Sequence, residues 1–286
     1  DFTVVRHGSD IYETLAAEIN ALGGERIGFE SDHTAWDDFR KMSEFVKLFP
    51  LHLDKLRMVK DEAELAALRV AVRLADAAFD HILAYIRPGV SEREIALELE
   101  FFMRKKGAEK AAFDIIVASG QRSALPHGLA GDKRIAAGEF VTMDFGAVYE
   151  GYHSDITRTV VVGKASSRQR EIYDLVRAAQ QAGLDAITAG RPGCEVDGAA
   201  RRVIGDAGYG EYFGHGLGHG VGLAIHEEPR LSPVGDVVLA PNMTVTVEPG
   251  VYLPDWGGVR IEDTVVVTAN GVQILTASSK ELIQLD

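Results

Sequence analysis

The sequence has one cysteine in 286 residues, Cys194, so no internal disulfide can form and the fold must close by apolar packing. No basic-then-apolar segment stands at the start, and together these features read as a protein of the reducing cytoplasm. Long hydrophobic runs are also lacking, and none approaches the roughly 18 residues of a membrane span. Basic charge is scarce: 30 Lys and Arg face 43 Asp and Glu, a net charge of -13. Such a surface repels a phosphate backbone and an anionic membrane alike, which removes nucleic acid and membrane from the expected partners.

A hydrophobic content of 46% supports a sizeable core in one large domain or two smaller ones. Residues 1–57 alternate short units: TVV, a helix from about Ile11 to Leu22, RIGF, a helix from about Thr34 to Val46, and KLFPLH. Gly23-Gly24 and Pro50 act as breaks. We read this as part of a small α/β domain, incomplete because the chain begins at Asp1 rather than Met. A boundary is expected between Leu56 and Lys60, giving domains 1–57 and 58–286. Asp61 and Glu64 form a capping-box signature at the start of a long helix with Leu65, Leu68, Val72, Ala75, Phe79 and Ile82 on one face. After Arg87-Pro88-Gly89, Ser91 and Glu94 repeat that signature and open a helix to Gly107.

The arrangement recurs, since Val72 to Pro88 and Val176 to Pro192 are the same distance apart. Strand-like runs follow each helix pair: DIIVAS, EFVTMDF and ITRTVVV, then GLGHGVGLAI, MTVTVEP and VRIEDTVVV. Two related α+β halves are expected, their helices packed on one side of a curved antiparallel sheet.

In MDFGAVYEGYHSDITRT, a turn at Glu150-Gly151 would bring Asp144 and Asp155 within a residue or two of facing each other across a hairpin. Two facing carboxylates repel, and a cation between them resolves this; the competing reading turns one of them to solvent. Glu248 precedes Pro249-Gly250. Glu262 is embedded in a β-branched run, with Arg260 on its own face as an alternative partner.

FGHGLGHGVGLAIHE, residues 213–227, carries three histidines and five glycines. Glycine at every second position argues against a helix and for a strand with His215, Leu217, His219, Val221 and Leu223 on one face. His226 falls on the opposite parity. Neither dinucleotide nor phosphate-loop glycine patterns fit, and Arg230 stands where a zincin motif needs its second histidine. Four carboxylates and a histidine suit two divalent ions, Mn²⁺ in preference, with Co²⁺, Zn²⁺ or Fe²⁺ as substitutes. Two ions about 3.5–4 Å apart can hold a bridging hydroxide and polarise a carbonyl, the arrangement of metal-assisted hydrolysis.

From about Leu56 to the end, FDIIVASGQRSALPHG, MDFGAVYEGYHSDITRT, FGHGLGHGVGLAIHE, TVEPGVY and GGVRIEDT resemble the pita-bread metallopeptidases, and within them the Xaa-Pro peptidase branch. The resemblance implies an α+β pita-bread fold of two pseudo-symmetric halves, preceded by a creatinase-like N-terminal domain. It implies that Asp144 chelates one metal, Asp155 and Glu262 bridge both, and His219 and Glu248 complete the other site. Glu248 would also handle the proton of the nucleophilic water. His127, His215 and His226 would line the substrate site, His226 near the scissile carbonyl and His215 on the proline side with Tyr252 and Arg260. Arg230 resembles an arginine that receives the free carboxylate of a dipeptide, which favours Xaa-Pro dipeptidase over Xaa-Pro aminopeptidase. The implied substrates are proline-containing dipeptides or short peptides in the trans form, and the implied assembly is a homodimer. A non-catalytic peptide-binding module on the same scaffold is the remote alternative, opposed by the complete ligand set.

Overall fold

The computed structural model describes residues 3–23 and 26–286, and the chain divides into two compact units, Asp1–Leu56 and Arg57–Asp286. In the first unit, helix α1 (Ile11–Ala21) starts at Asp10, whose side chain accepts from the Tyr12 amide. Strand β1 (Ile27–Glu30) runs parallel to β2 (Leu48–Leu51), with α2 (Trp36–Ser43) as the crossover between them. The TVV run forms no strand, and Val4 is 88% exposed. Gly24, half of the break expected there, lies outside the described residues. The single turn α3 (Asp54–Met58) crosses the boundary between the units.

In the second unit both capping boxes form as expected. The Asp61 carboxylate accepts from the Glu64 amide, and the Glu64 carboxylate accepts from the Asp61 amide, opening α4 (Glu62–Ile82). Ser91 and Glu94 do the same for α5 (Glu92–Lys105). The predicted apolar face of α4 is buried, from Leu65 to Ile82. Strands β3 (Lys110–Ala111), β4 (Ile116–Ser119), β5 (Phe140–Phe145), β6 (Ala147–Tyr149), β7 (Tyr152–His153) and β8 (Ile156–Val162) follow. β4, β5 and β8 form an antiparallel sheet. β6 and β7 make a hairpin whose two-residue turn is Glu150-Gly151, with φ of 48° and 80°; positive φ at both positions matches the right-handed twist of the strands.

The second half repeats the plan. Helices α6 (Ser167–Ala186) and α7 (Gly193–Asp206) precede β9 (Gly218–Gly220), β10 (Glu227–Leu231), β11 (Thr244–Val247), β12 (Gly250–Leu253), β13 (Gly257–Arg260), β14 (Asp263–Thr268), β15 (Gly271–Ile274) and β16 (Gln284–Leu285). The order β10-β9-β11-β14-β15 gives a second antiparallel sheet, while β16 adds to β8 in parallel. Each half has its own core: Phe79, Ile95, Leu99 and Met103 pack on Val141, Met143 and Val160, and Ile172, Val176, Val196 and Ala200 pack on Val245, Val247 and Val265. Among the described residues, no helix is long and apolar enough to cross a membrane.

One strand expected as continuous is broken. MTVTVEP forms β11 and ends at Glu248-Pro249 as expected, with β12 starting anew at Gly250, because proline has no N–H to continue a ladder. VRIEDTVVV is the run that breaks, opposite that stop, at Ile261-Glu262, into β13 and β14. The two breaks lie side by side, since Val247 pairs with Asp263 and Gly250 with Arg260. The glycine-rich run forms a ladder only over Gly218–Gly220.

Candidate active site

Five side chains meet where the two halves join. Asp144 is the penultimate residue of β5, and Asp155 lies just before β8. Asp144 pairs directly with Thr157, so Asp155 sits diagonally across on the same face. Glu248 and Glu262 come from the paired breaks, and His219 is the middle of β9. Breaking the ladder at these points frees each glutamate to turn into the junction rather than follow strand alternation.

One ligand atom each of Asp144, Asp155 and Glu262 lies within 4.8 Å of the others. His219 Nε2 is 3.6 Å from Asp155 Oδ2 and 3.3 Å from Glu248 Oε1. The other ring nitrogen, Nδ1, lies 3.0 Å from the Gly220 carbonyl and donates to it, so in the neutral ring the Nε2 lone pair faces the carboxylates. Thr246 Oγ1 donates to Glu248 Oε1 at 3.1 Å, and Thr157 Oγ1 donates to Glu262 Oε2 at 2.7 Å.

Electrostatics show what the cluster lacks internally. Burial, then the charges of Glu262 and Asp144, push the Asp155 carboxyl well above its usual range. Burial followed by Glu248 and Asp144 does the same to Glu262. Burial raises Asp144 despite Arg260 beside it. For Glu248 the burial effect is overcome by His219, holding the carboxyl low, and the same pairing raises His219 against its own burial. Asp144 Oδ1, Asp155 Oδ1 and Glu262 Oε1 are buried and have no hydrogen-bond partner among the described residues. Three buried, partnerless carboxylate oxygens in mutual repulsion fit hard divalent cations, which supply the missing partners and reverse the pKa shifts.

Arg260 is not the partner of Glu262. Its Nη2 donates to Asp144 Oδ2 at 2.6 Å, Nε to Thr157 Oγ1 at 3.0 Å, and Nη1 to the Tyr252 hydroxyl at 2.8 Å and the Pro126 carbonyl at 3.2 Å. Tyr252 Oη donates in turn to His215 Nε2 at 2.9 Å, while His215 Nδ1 donates to the Gly216 carbonyl at 2.7 Å. Burial pushes the Tyr252 hydroxyl up to about 12 and lowers His215, so both are neutral at neutral pH and the donor chain from Arg260 through Tyr252 to His215 is self-consistent.

Strand alternation would send His226 away from His219. Instead the chain bends after Val221 and returns as β10, antiparallel to β9, so the two rings meet edge to face with centroids 4.4 Å apart. Partial burial and the His219 ring lower His226. His127 follows a short 3₁₀ turn, exposed, and lies close enough to bear electrostatically on both His215 and His226. Arg230 lies on β10 with its side chain 72% exposed, Nε 3.5 Å from Glu228 Oε1; its charge reaches His226 but it touches none of the carboxylate cluster.

Several supporting residues carry no signal strong enough to single them out from sequence. Thr157, Thr246 and the buried Arg158, which binds the Thr157 and Glu262 carbonyls, lie on the strands that carry the acids. Asp197 and Arg201 stand on α7 at an i,i+4 spacing that also describes ordinary surface pairs. Lys60 and Glu227 form an ion pair at 3.0 Å across a long sequence separation, with side chains 1% and 7% exposed.

Residues 66–269 match the profile of metallopeptidase family M24. The chain is 46% identical over 279 residues to the Xaa-Pro dipeptidase of Pyrococcus furiosus, covering 96% of this chain and 78% of that protein. Among solved structures, the Xaa-Pro dipeptidase from Bacillus anthracis superposes with a TM-score of 0.96 at 51% identity, covering 98% of this chain and 80% of that one. The X-Pro aminopeptidase from Thermotoga maritima gives 0.92 at 42% identity, covering 97% and 80%. The fold is thus the expected pita-bread arrangement, and with a match over most of its length the chain belongs to metallopeptidase family M24.

Proposed function

We propose that this protein hydrolyses the peptide bond between an N-terminal residue and proline, as an Xaa-Pro dipeptidase, with two divalent ions, Mn²⁺ in preference. The observation that carries this reading is the cluster of buried, partnerless carboxylate oxygens on Asp144, Asp155 and Glu262, completed by His219 and Glu248. Asp144, Asp155 and Glu262 would hold one ion, and Asp155, Glu262, His219 and Glu248 the other. When bound, such a pair lowers the pKa of a shared water and polarises the scissile carbonyl.

The chain's own groups do the rest. Glu248, ionised, accepts a proton from the attacking water. As the water oxygen adds to the carbonyl carbon and the bond to the proline nitrogen breaks, that proton passes to the leaving nitrogen. His226 would stand near the scissile carbonyl, His127 would line the substrate site, and His215, Tyr252 and Arg260 would line the proline side. Proline has no N–H for an ordinary backbone grip, so a dedicated ring pocket replaces the lost hydrogen bond. Arg230 receives the free carboxylate of the dipeptide as a bidentate donor.

Solvent exposure of Arg230 favours a second reading, Xaa-Pro aminopeptidase, in which that guanidinium stays in water and longer peptides enter. Turnover of an Xaa-Pro dipeptide against an Xaa-Pro tripeptide, by wild type and Arg230→Ala, separates them. We expect the dipeptide to be preferred and the preference to fall in the variant; a preference for the tripeptide untouched by the substitution overturns the dipeptidase reading. We further propose that the protein works in the cytoplasm as a homodimer, and that residues 1–57 belong to a partial creatinase-like N-terminal domain.

A further inference from the structure

The segment that carries His215 lies outside any strand ladder, between a 3₁₀ turn ending at Tyr212 and β9. Its backbone is gripped from behind by one helix. Asp197 on α7 is 1% exposed and takes both arms of the Arg201 guanidinium, Nε and Nη2 each at 2.8 Å. Arg201 Nη1 donates to the Phe213 carbonyl at 2.9 Å and Nη2 to the His215 carbonyl at 2.7 Å. Asp197 Oδ1 accepts from the Leu217 amide at 3.0 Å. Arg201 also lies over the Phe213 ring, 4.2 Å from its centroid, and that ring stands edge-on to the His215 imidazole at 5.1 Å.

We propose that the Asp197–Arg201 pair is a positioning device that holds His215 against Tyr252 at the substrate site. The pair makes three bonds to the backbone between Phe213 and Leu217 and one ring stack onto it, and the strand ladder of β9 begins only at Gly218. An i,i+4 pair that served only the helix would leave its remaining donors in water and contribute a few tenths of a kcal/mol. Here two of the three N–H groups not used on Asp197 are bonded to the segment that carries the histidine. A lysine at position 201 keeps the charge but cannot span Asp197, Phe213 O and His215 O together, because it lacks the planar fork.

This inference rests on the reading of His215 as a substrate residue, and a double-mutant cycle tests the two separately. Arg201→Lys, His215→Ala and the double variant are assayed on an Xaa-Pro dipeptide in the Mn²⁺-loaded enzyme, with thermal melting of each. We expect Arg201→Lys to lower kcat/KM by about 10- to 100-fold, chiefly through KM, and the double variant to be no worse than His215→Ala alone. Losses that multiply in the double variant, or a lowered Tm with kcat/KM unchanged, overturn the positioning role while leaving the site reading intact. No effect of His215→Ala overturns the site reading and the proposal with it. If Arg201→Lys does not fold, Asp197→Asn, which retains an acceptor for the Leu217 amide, takes its place in the same cycle with the same expected and overturning results.

Discussion

Arg260 Nη2 lies 2.6 Å from Asp144 Oδ2, yet the other carboxylate oxygen, Oδ1, is buried without a hydrogen-bond partner among the described residues. The guanidinium therefore orients Asp144 and offsets part of its charge while leaving one oxygen directed into the acidic cluster. Among the described residues no lysine or arginine is bonded to the Asp155 or Glu262 carboxylate, His219 standing 3.6 Å from Asp155 Oδ2, and each carboxylate keeps one such oxygen as well.

That imbalance sets an expectation for stability with and without metal. In chelator, Asp155→Asn removes a buried repulsive charge, and the variant should melt at the same temperature as wild type or above it. Added Mn²⁺ should raise the wild-type melting temperature, the gain being about 3 kcal/mol at 100-fold excess over Kd. The variant should lose most of that increment. Calorimetry of both proteins in chelator and in Mn²⁺ checks this, and a variant that is less stable only in chelator contradicts it.

The Lys60–Glu227 pair behaves differently because it is already balanced. Burial lowers Lys60 and the Glu227 charge opposes the shift. Glu227 Oε1 accepts from the Ala224 amide while Oε2 accepts from Lys60, tying down the bend that carries His226. Lys60→Met leaves a buried carboxylate uncompensated and should cost about 3–5 kcal/mol in urea unfolding, with much of the loss recovered by adding Glu227→Gln.

Within the glycine-rich run, alanine should be costly at one position and neutral at another. A Cβ at Gly218 would collide with the Thr246 carbonyl on the adjacent strand β11, so Gly218→Ala must spread the ladder that seats His219. A loss of about 1–3 kcal/mol and weakened Mn²⁺ binding are expected. At Gly214 nothing lies within 4 Å of a new Cβ, and Gly214→Ala should leave stability within about 0.5 kcal/mol of wild type. Urea unfolding and metal titration of the two variants give the comparison.

Alkaline stability should depend on Tyr173. Its hydroxyl is buried on α6, donates to the Lys280 and Glu281 carbonyls at 3.3 Å, and is pushed up to about 12, chiefly by burial. Because the folded value lies above the unfolded one, the contribution is present in full below pH 10 and is lost as pH rises from 10 through 12. The linked change is about 2–3 kcal/mol. Tyr173→Phe should be less stable than wild type by about 1 kcal/mol at pH 8, with the gap closing or reversing by pH 11. Unfolding curves at both pH values report it.

Much of this could be read along the chain. Capping boxes at Asp61 and Ser91, the turn at Glu150-Gly151 and the helical face from Leu65 to Ile82 are local devices, and each formed where expected. The acids at 144, 155, 248 and 262 were visible because a carboxylate in or beside a β-branched run demands a partner. Where periodicity was extended too far it failed. Alternation puts His226 on the face opposite His219 because it assumes the strand continues, whereas the chain turns back after Val221. Arg260 was offered to Glu262 on parity alone, whereas the break at Ile261-Glu262 separates the two and turns Arg260 toward Asp144 and Tyr252.

By itself, then, the sequence determined the elements, the two-half plan and the identity of the acids and histidines, because caps, turns and burial patterns act over a few residues. Only the tertiary structure decided which of those groups meet. The Glu248 and Glu262 breaks align through strand pairing, the rings of His219 and His226 meet through a reversal of the chain, and Arg201 reaches His215 from a neighbouring helix. These are contacts between segments distant in sequence, set by packing of the two cores, and no local period encodes them.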